Sequence, residues 1–309
     1  MPVADELLPI LDAMTPSADG PPGLDAIRDQ YAVLSATLAT PSPALATVED
    51  RAVPGPVGPV SVRVYTPKGH GPFPVLVFFH GGAFFIGSVD THDPVCRELA
   101  ARSGWIVVSV EYRLAPKHPF PAAADDCFAA LQWCASEARS FGGDPEQLAV
   151  GGDSAGGNLA AVVAQRARDD GGPDLRLQAL IYPVTDAACD TPSMARNGEG
   201  YFLTADALRM MWNLYTPDAA TRDNPHVSPF RAVDLAGVAP ALVITAEFDP
   251  LVDEGEAYAK RLLDAGVPVE LTRYDGMIHG FVQMLAVTPR AIEAIDQAAA
   301  ALKRAQNGA

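Results

Sequence analysis

Five short, almost unbroken apolar runs, separated by stretches of helical periodicity, constrain this chain more than any other feature. They lie at residues 75–79, 106–110, 148–150, 179–182 and 241–245, and most are rich in β-branched residues. A strand with one wet face alternates polar and apolar residues, so a run without alternation reads as a strand covered on both sides. Between and after the runs, residues 92–102, 122–139, 155–170, 254–265 and 291–303 carry helical spacing. Strands and helices alternating in this way predict a mostly parallel sheet with helices on both faces. Ahead of the first run, Val60, Val62 and Val64 alternate with Ser61 and Arg63, which predicts an antiparallel strand with one solvated face.

The alternation is interrupted between about residues 187 and 229. Inside the interruption Leu208, Met211, Trp212 and Tyr215 fall at i, i+3, i+4 and i+7, so a helix is expected there, packed on the body of the protein or roofing a pocket as a cap. The first forty or so residues also read as helix: Leu24, Ile27, Tyr31, Leu34 and Leu38 keep a three-or-four spacing until Pro41 and Pro43 end it. A length of 309 residues admits one large α/β domain or two small ones.

Acidic residues outnumber basic ones by 38 to 22, for a net charge of −16, which argues against nucleic acid and against a polyanionic membrane surface as partners. The N-terminal residues lack the basic and apolar regions of a signal peptide, and nowhere do roughly 18 apolar residues run together, so a cytoplasmic protein without a membrane anchor is expected. Cys96, Cys127, Cys134 and Cys189 form no CxxC pair; free thiols are expected, with no zinc site.

The chemistry centres on Gly152-Asp153-Ser154-Ala155-Gly156, a G-x-S-x-G sequence that follows one apolar run and opens a helix. Alone the motif is weak, and a glycine-rich turn can simply pack or bind an anion. Its strand–turn–helix setting is that of a nucleophile elbow, where small neighbours let the strained serine stand clear. A serine hydroxyl needs a base, and in this architecture acid and base follow in the order Ser, Asp or Glu, His. Only His226 and His279 lie beyond Ser154. Asp249 sits just after the run at 241–245 and ahead of His279, whereas His226 precedes that segment. Asp253 is the rival acid, with helix N-terminal charge as its alternative role. For the oxyanion, His80-Gly81-Gly82-Ala83 follows the first run, and Gly81, Gly82 and Ala155 are the expected N–H donors. His80 is expected to order that loop.

These residues together resemble the hormone-sensitive-lipase-like branch of the α/β-hydrolase fold, the bacterial carboxylesterases. The resemblance spans nearly the whole chain. It rests on His80 through Gly87, on Tyr112-Arg113-Leu114-Ala115-Pro116 through Ala122, on Gly152 through Ala160, on Asp249 through Gly255, and on His279-Gly280-Phe281. It implies an eight-stranded, mostly parallel sheet with the second strand antiparallel and helices on both faces. It also implies a single domain spanning 1–309, with a helical cap from about residues 1–45 and the segment after strand six at 187–229, and a triad of Ser154, Asp249 and His279. The chain departs from the family pattern at Ala83, where glycine is usual; the N–H survives, but a methyl group disfavours positive φ. Lys117 and Glu111 also stand where the family often has Glu and Asp.

The expected activity is hydrolysis of short- to medium-chain acyl esters through an acyl-enzyme on Ser154, without metal or organic cofactor. The expected partner is a small-molecule ester, with a homodimer through the last strand's edge implied by the family. Amide or acetyl hydrolysis, acyl transfer by the same triad, and a non-catalytic receptor on the same fold are the alternatives. Candidate pocket walls are Phe84, Phe85, Tyr201, Phe202, Met211, Trp212 and Phe281.

Overall fold

The computed structural model describes residues 2–13 and 23–307. The expected N-terminal helix is present as α1 (Leu8–Ala13) and α2 (Leu24–Leu38), and the part of that expectation falling on Met1 and residues 14–22 lies outside the described residues. Eight strands form one sheet: β1 (Thr47–Val53), β2 (Val60–Thr66), β3 (Phe73–Phe79), β4 (Ile106–Glu111), β5 (Gly143–Asp153), β6 (Leu175–Ile181), β7 (Ala241–Phe248) and β8 (Val269–Ile278). Their order is β1-β2-β4-β3-β5-β6-β7-β8, with β2 antiparallel to both its neighbours and every later pairing parallel.

The unbroken apolar runs have a direct cause. Along β3, Val75, Val77 and Phe79 enter one core layer while Leu76 and Phe78 enter the other. Along β7, Ala241 and Val243 face the first layer and Leu242 and Ile244 the second. Successive side chains point to opposite faces, so a strand covered twice must be apolar at every position. Helices α4 (Ala122–Glu137), α5 (Ala155–Asp169) and α8 (Val252–Asp264) close the first layer, and α3 (Asp93–Ser103) and α9 (Pro289–Gln306) the second.

Sequence patterning missed β1. Its residues Glu49, Asp50 and Arg51 give no apolar signal, because the strand lies at the sheet edge. Charge there discourages pairing with another chain, and Asp50 accepts from Arg63 of β2 at 2.6 Å. The last strand runs to Ile278, so His279 leaves directly from the end of β8.

The interruption between β6 and β7 holds α6 (Pro192–Asn197) and α7 (Ala205–Tyr215). Thr204 caps α7 by accepting the Ala207 N–H at 3.1 Å, and Leu208, Met211, Trp212 and Tyr215 are all buried. The base of the segment is tied to α5, since Asn158 Nδ2 donates to both Val184 O and Val227 O. Cys96, Cys127 and Cys134 are buried and Cys189 is half-buried, all as free thiols. No helix among the described residues is long and apolar enough to cross a membrane.

Candidate active site

Three strand ends converge on one point. β5 ends at Asp153, Ser154 adopts φ +55°, and α5 begins at Ala155. The glycines of the motif are demanded by close approach: a Cβ on Gly156 would stand 1.9 Å from Phe79 O, and one on Gly152 2.4 Å from the Gly156 backbone. β7 delivers Asp249 and β8 delivers His279.

His279 Nδ1 lies 2.7 Å from Asp249 Oδ2, and Nε2 lies 2.9 Å from Ser154 Oγ. With the proton on Nδ1, the imidazole donates to the carboxylate and presents a lone pair to the serine hydroxyl. All three side chains are buried, Asp249 completely. Asp249 Oδ1 accepts the Leu251 N–H at 2.8 Å, and Asn197 Nδ2 donates to Asp249 O at 3.1 Å, so the acid cannot swing away freely. Asp253 points elsewhere: it accepts the Ser193 N–H at 2.7 Å and faces Arg196 at 3.4 Å, anchoring α6. His226 sits in the interrupting segment, half-buried, with its imidazole pushed below the ordinary range by burial and by Arg166.

The loop after β3 differs from expectation at one donor. Gly81 N–H is already engaged, donating to Asp153 Oδ1 at 2.8 Å and lying 3.2 Å from His92 Nε2, so Gly81 is not an oxyanion donor. The chain then turns through Gly82 at φ +123°, Ala83 at +53° and Phe84 at +61°. Among the described residues the N–H groups of Gly82, Ala83 and Ala155 meet no acceptor, and Gly82 and Ala83 share a cavity with Ser154. The spare donor set is therefore Gly82, Ala83 and Ala155. Only contact with Asp153 could have revealed the substitution of Ala83 for Gly81.

His80 is wholly buried, its Nδ1 2.8 Å from Gly81 O and its ring stacked on Tyr112 at 4.2 Å. Burial and the neighbouring His92 push its pKa down to about 3, so it stays neutral and shapes the loop. Tyr112 OH fixes the same stretch by donating to His80 O at 2.7 Å. Burial works to raise the Asp153 carboxyl, but His92 and the Gly81 N–H outweigh it and hold the group below the usual carboxylate range.

Ser154 and His279 open into a cavity of about 410 Å³. One wall is the stripe Ile27, Tyr31, Leu34 and Leu38 of α2; another is Leu208, Met210 and Met211 of α7. Of the expected aromatic walls, Phe85, Phe202 and the non-aromatic Met211 line it. Phe84, Tyr201, Trp212 and Phe281 do not. Phe84 stacks on Tyr215 at 3.8 Å with Trp212 alongside at 5.9 Å, Tyr201 packs on Phe248 at 5.0 Å, and Phe281 lies in the second core layer against Tyr274 at 5.1 Å. These four side chains pack against neighbouring aromatic rings instead of facing the cavity. Leu34, Leu38, Leu203 and Met284 were missed as walls; the periodicity of α2 was the available signal, without a statement of what its stripe faces. No group of three His, Cys, Asp or Glu side chains among the described residues is placed to hold a metal ion.

Residues 76–283 match a protein family described by its α/β-hydrolase fold. The chain is 47% identical over 250 residues to Carboxylesterase NlhH of Mycobacterium tuberculosis, covering 80% of this chain and 78% of that one. It is 40% identical over 306 residues to Esterase LipI of the same organism, covering 98% and 95%. Among solved structures, a hyperthermophilic esterase from Pyrobaculum calidifontis superposes with a TM-score of 0.93 at 42% identity, covering 98% of this chain and 99% of the other.

Proposed function

The chain belongs to the hormone-sensitive-lipase-like carboxylesterases of the α/β-hydrolase fold and is a carboxylic ester hydrolase; from that premise we propose that Ser154, His279 and Asp249 are its nucleophile, base and orienting acid. The observation that carries this assignment is the imidazole of His279, hydrogen-bonded on one side to a carboxylate and on the other to a serine hydroxyl.

His279 takes the Ser154 proton as Oγ attacks the ester carbonyl, and Asp249 holds the imidazole tautomer and stabilises the imidazolium. Negative charge develops on the carbonyl oxygen, where Gly82, Ala83 and Ala155 offer N–H groups; one such donor is worth about 3 kcal/mol in the transition state. The N–H of Ala155 also opens α5, so the helix dipole adds to it. His279 then protonates the departing alcohol, and a water repeats the sequence on the acyl-enzyme.

Residues 1–45 and 187–229 act as a cap over this site within a single domain, residues 1 and 14–22 of that cap lying outside the described residues. The cavity walls are overwhelmingly apolar and include no Lys or Arg among the described residues, which supports neutral esters with short to medium acyl chains as substrates. Pairing of two copies along the outer edge of β8, where Leu271 is exposed, belongs to the same reading. An activated serine argues against a purely receptor-like role.

Ser154→Ala tests the assignment. The variant is expected to fold normally, to lose p-nitrophenyl ester hydrolysis by about 10⁶-fold in kcat, and to resist labelling by a fluorophosphonate. Retained turnover would overturn it. Esters and anilides with matched acyl chains separate ester from amide hydrolysis.

A further inference from the structure

A carboxylate beside an oxyanion site opposes the charge the site must stabilise unless its own charge is engaged elsewhere. Asp153 is such a carboxylate: it is buried, adjacent to Ser154, and lines the catalytic cavity. Its Oδ1 takes the Gly81 N–H at 2.8 Å and lies 3.1 Å from His92 Nε2. Its Oδ2 accepts from Gln283 Nε2 at 3.2 Å, and Gln283 Oε1 in turn accepts from Tyr31 OH at 3.1 Å. Burial first, and then the charge of Asp153, keep the Tyr31 phenol protonated and therefore a donor.

One amide thus joins three distant pieces of chain. Tyr31 belongs to α2 over the pocket, Asp153 ends the nucleophile strand, and Gln283 stands four residues after His279. Beyond Asp153 the relay reaches Gly81, whose neighbours Gly82 and Ala83 hold the spare N–H groups. The same helix grips the same loop a second time, where Arg28 Nε donates to Phe85 O at 2.9 Å. A carboxamide suits the middle position because it donates to a carboxylate and accepts from a phenol without adding charge.

We propose that Gln283 is a positioning residue for ester hydrolysis: by holding Asp153 between Tyr31 and Gly81, it couples the seating of α2 over the bound substrate to the geometry of the oxyanion donors. Leu34 and Leu38 lie on the Tyr31 side of α2 and face the cavity, so a substrate chain that packs against them seats the helix and tightens the loop.

The inference rests on the assignment of Ser154 as nucleophile, and its test separates the two. Steady-state kinetics on p-nitrophenyl butyrate and fluorophosphonate inactivation rates are measured for the wild type, Gln283→Met, Tyr31→Phe and the double variant. Gln283→Met is expected to lower kcat about tenfold, a fraction of the loss that an ångström-scale misplacement produces, with KM nearly unchanged and inactivation slowed in parallel. Tyr31→Phe is expected to show a smaller loss of the same kind, and the double variant to be no worse than Gln283→Met alone, because both cut one relay. Tyr31→Phe removes a single oxygen, so it decides the matter if Gln283→Met fails to fold. Losses confined to KM, or losses that multiply in the double variant, overturn the positioning role. A wild type that resists the fluorophosphonate overturns the nucleophile assignment and this inference with it; a labelled wild type whose variants react at the same rate overturns the inference alone.

Discussion

Ala83 stands at φ +53° in the left-handed region, where a Cβ crowds the neighbouring carbonyl. The sequence-based expectation was that its methyl group would disfavour this conformation, and the structure imposes it nonetheless. The loop is held on both sides, by Gly81 on Asp153 and by the Phe85 and Ile86 N–H groups on Gly82 O, leaving the residue between no relaxed alternative. Strain of this kind collects at sites whose surroundings over-determine the backbone. Ala83→Gly is expected to keep the N–H donor and raise unfolding stability by about 1 kcal/mol, read from urea denaturation; a clear loss would mean that the methyl group packs to advantage. The acid is tested at the same scale. Asp249→Asn is expected to lower kcat by about 10⁴-fold, while Asp253→Asn, which loosens only the α6 anchor, leaves kcat within a few-fold and lowers the melting temperature. Kinetic constants for the two variants with their effects reversed would move the acid to Asp253. Chain order singled out Asp249 and His279 because it reflects where strands end, a local property. Phe84 and Trp212 pack against each other instead of lining the cavity; aromatic character says nothing about which side of a segment faces it.

Among the elements, α8 and the start of the interrupting segment share a buried carboxyl. Glu254, in the first turn of α8, accepts the Thr185 N–H at 2.6 Å and the Asp186 N–H at 3.2 Å. Burial nevertheless pushes its pKa up to about 8 from an ordinary 4.5. In the unfolded chain the group ionises near 4.5, so between that pH and about 8 the folded protein retains a proton that the unfolded one has lost. Its contribution to stability is therefore complete below the lower value and falls away as pH rises through the window. The melting temperature of the wild type is expected to decline more steeply across this range than that of Glu254→Gln; parallel profiles would contradict a raised pKa. Element legibility followed burial on two faces: β3, β4 and β7 were readable because both sides needed apolar residues, whereas β1, with Glu49 and Asp50 at the sheet edge, carried no such pattern.

Taken whole, the molecule carries a net charge of −16 around a cavity without a cationic wall among its described residues. Such a field repels anionic substrates over distances that salt screens within roughly 8–10 Å at moderate ionic strength. An ester bearing a carboxylate is expected to show a lower kcat/KM than its neutral methyl-capped counterpart, and the gap is expected to narrow as salt rises; a salt-independent gap would place the discrimination in the pocket wall itself. The sequence by itself determined the strand–helix alternation and the doubly covered sheet, and it singled out Ser154, Asp249 and His279 as the proposed triad, because periodicity, turn chemistry and chain order are local or one-dimensional. Tertiary structure alone decided which N–H groups remain free and which stripe lines the cavity. Those outcomes depend on contacts such as Gly81 with Asp153, 72 residues away, and Tyr31 with Gln283, 252 residues away, and no local pattern reports a partner at that distance.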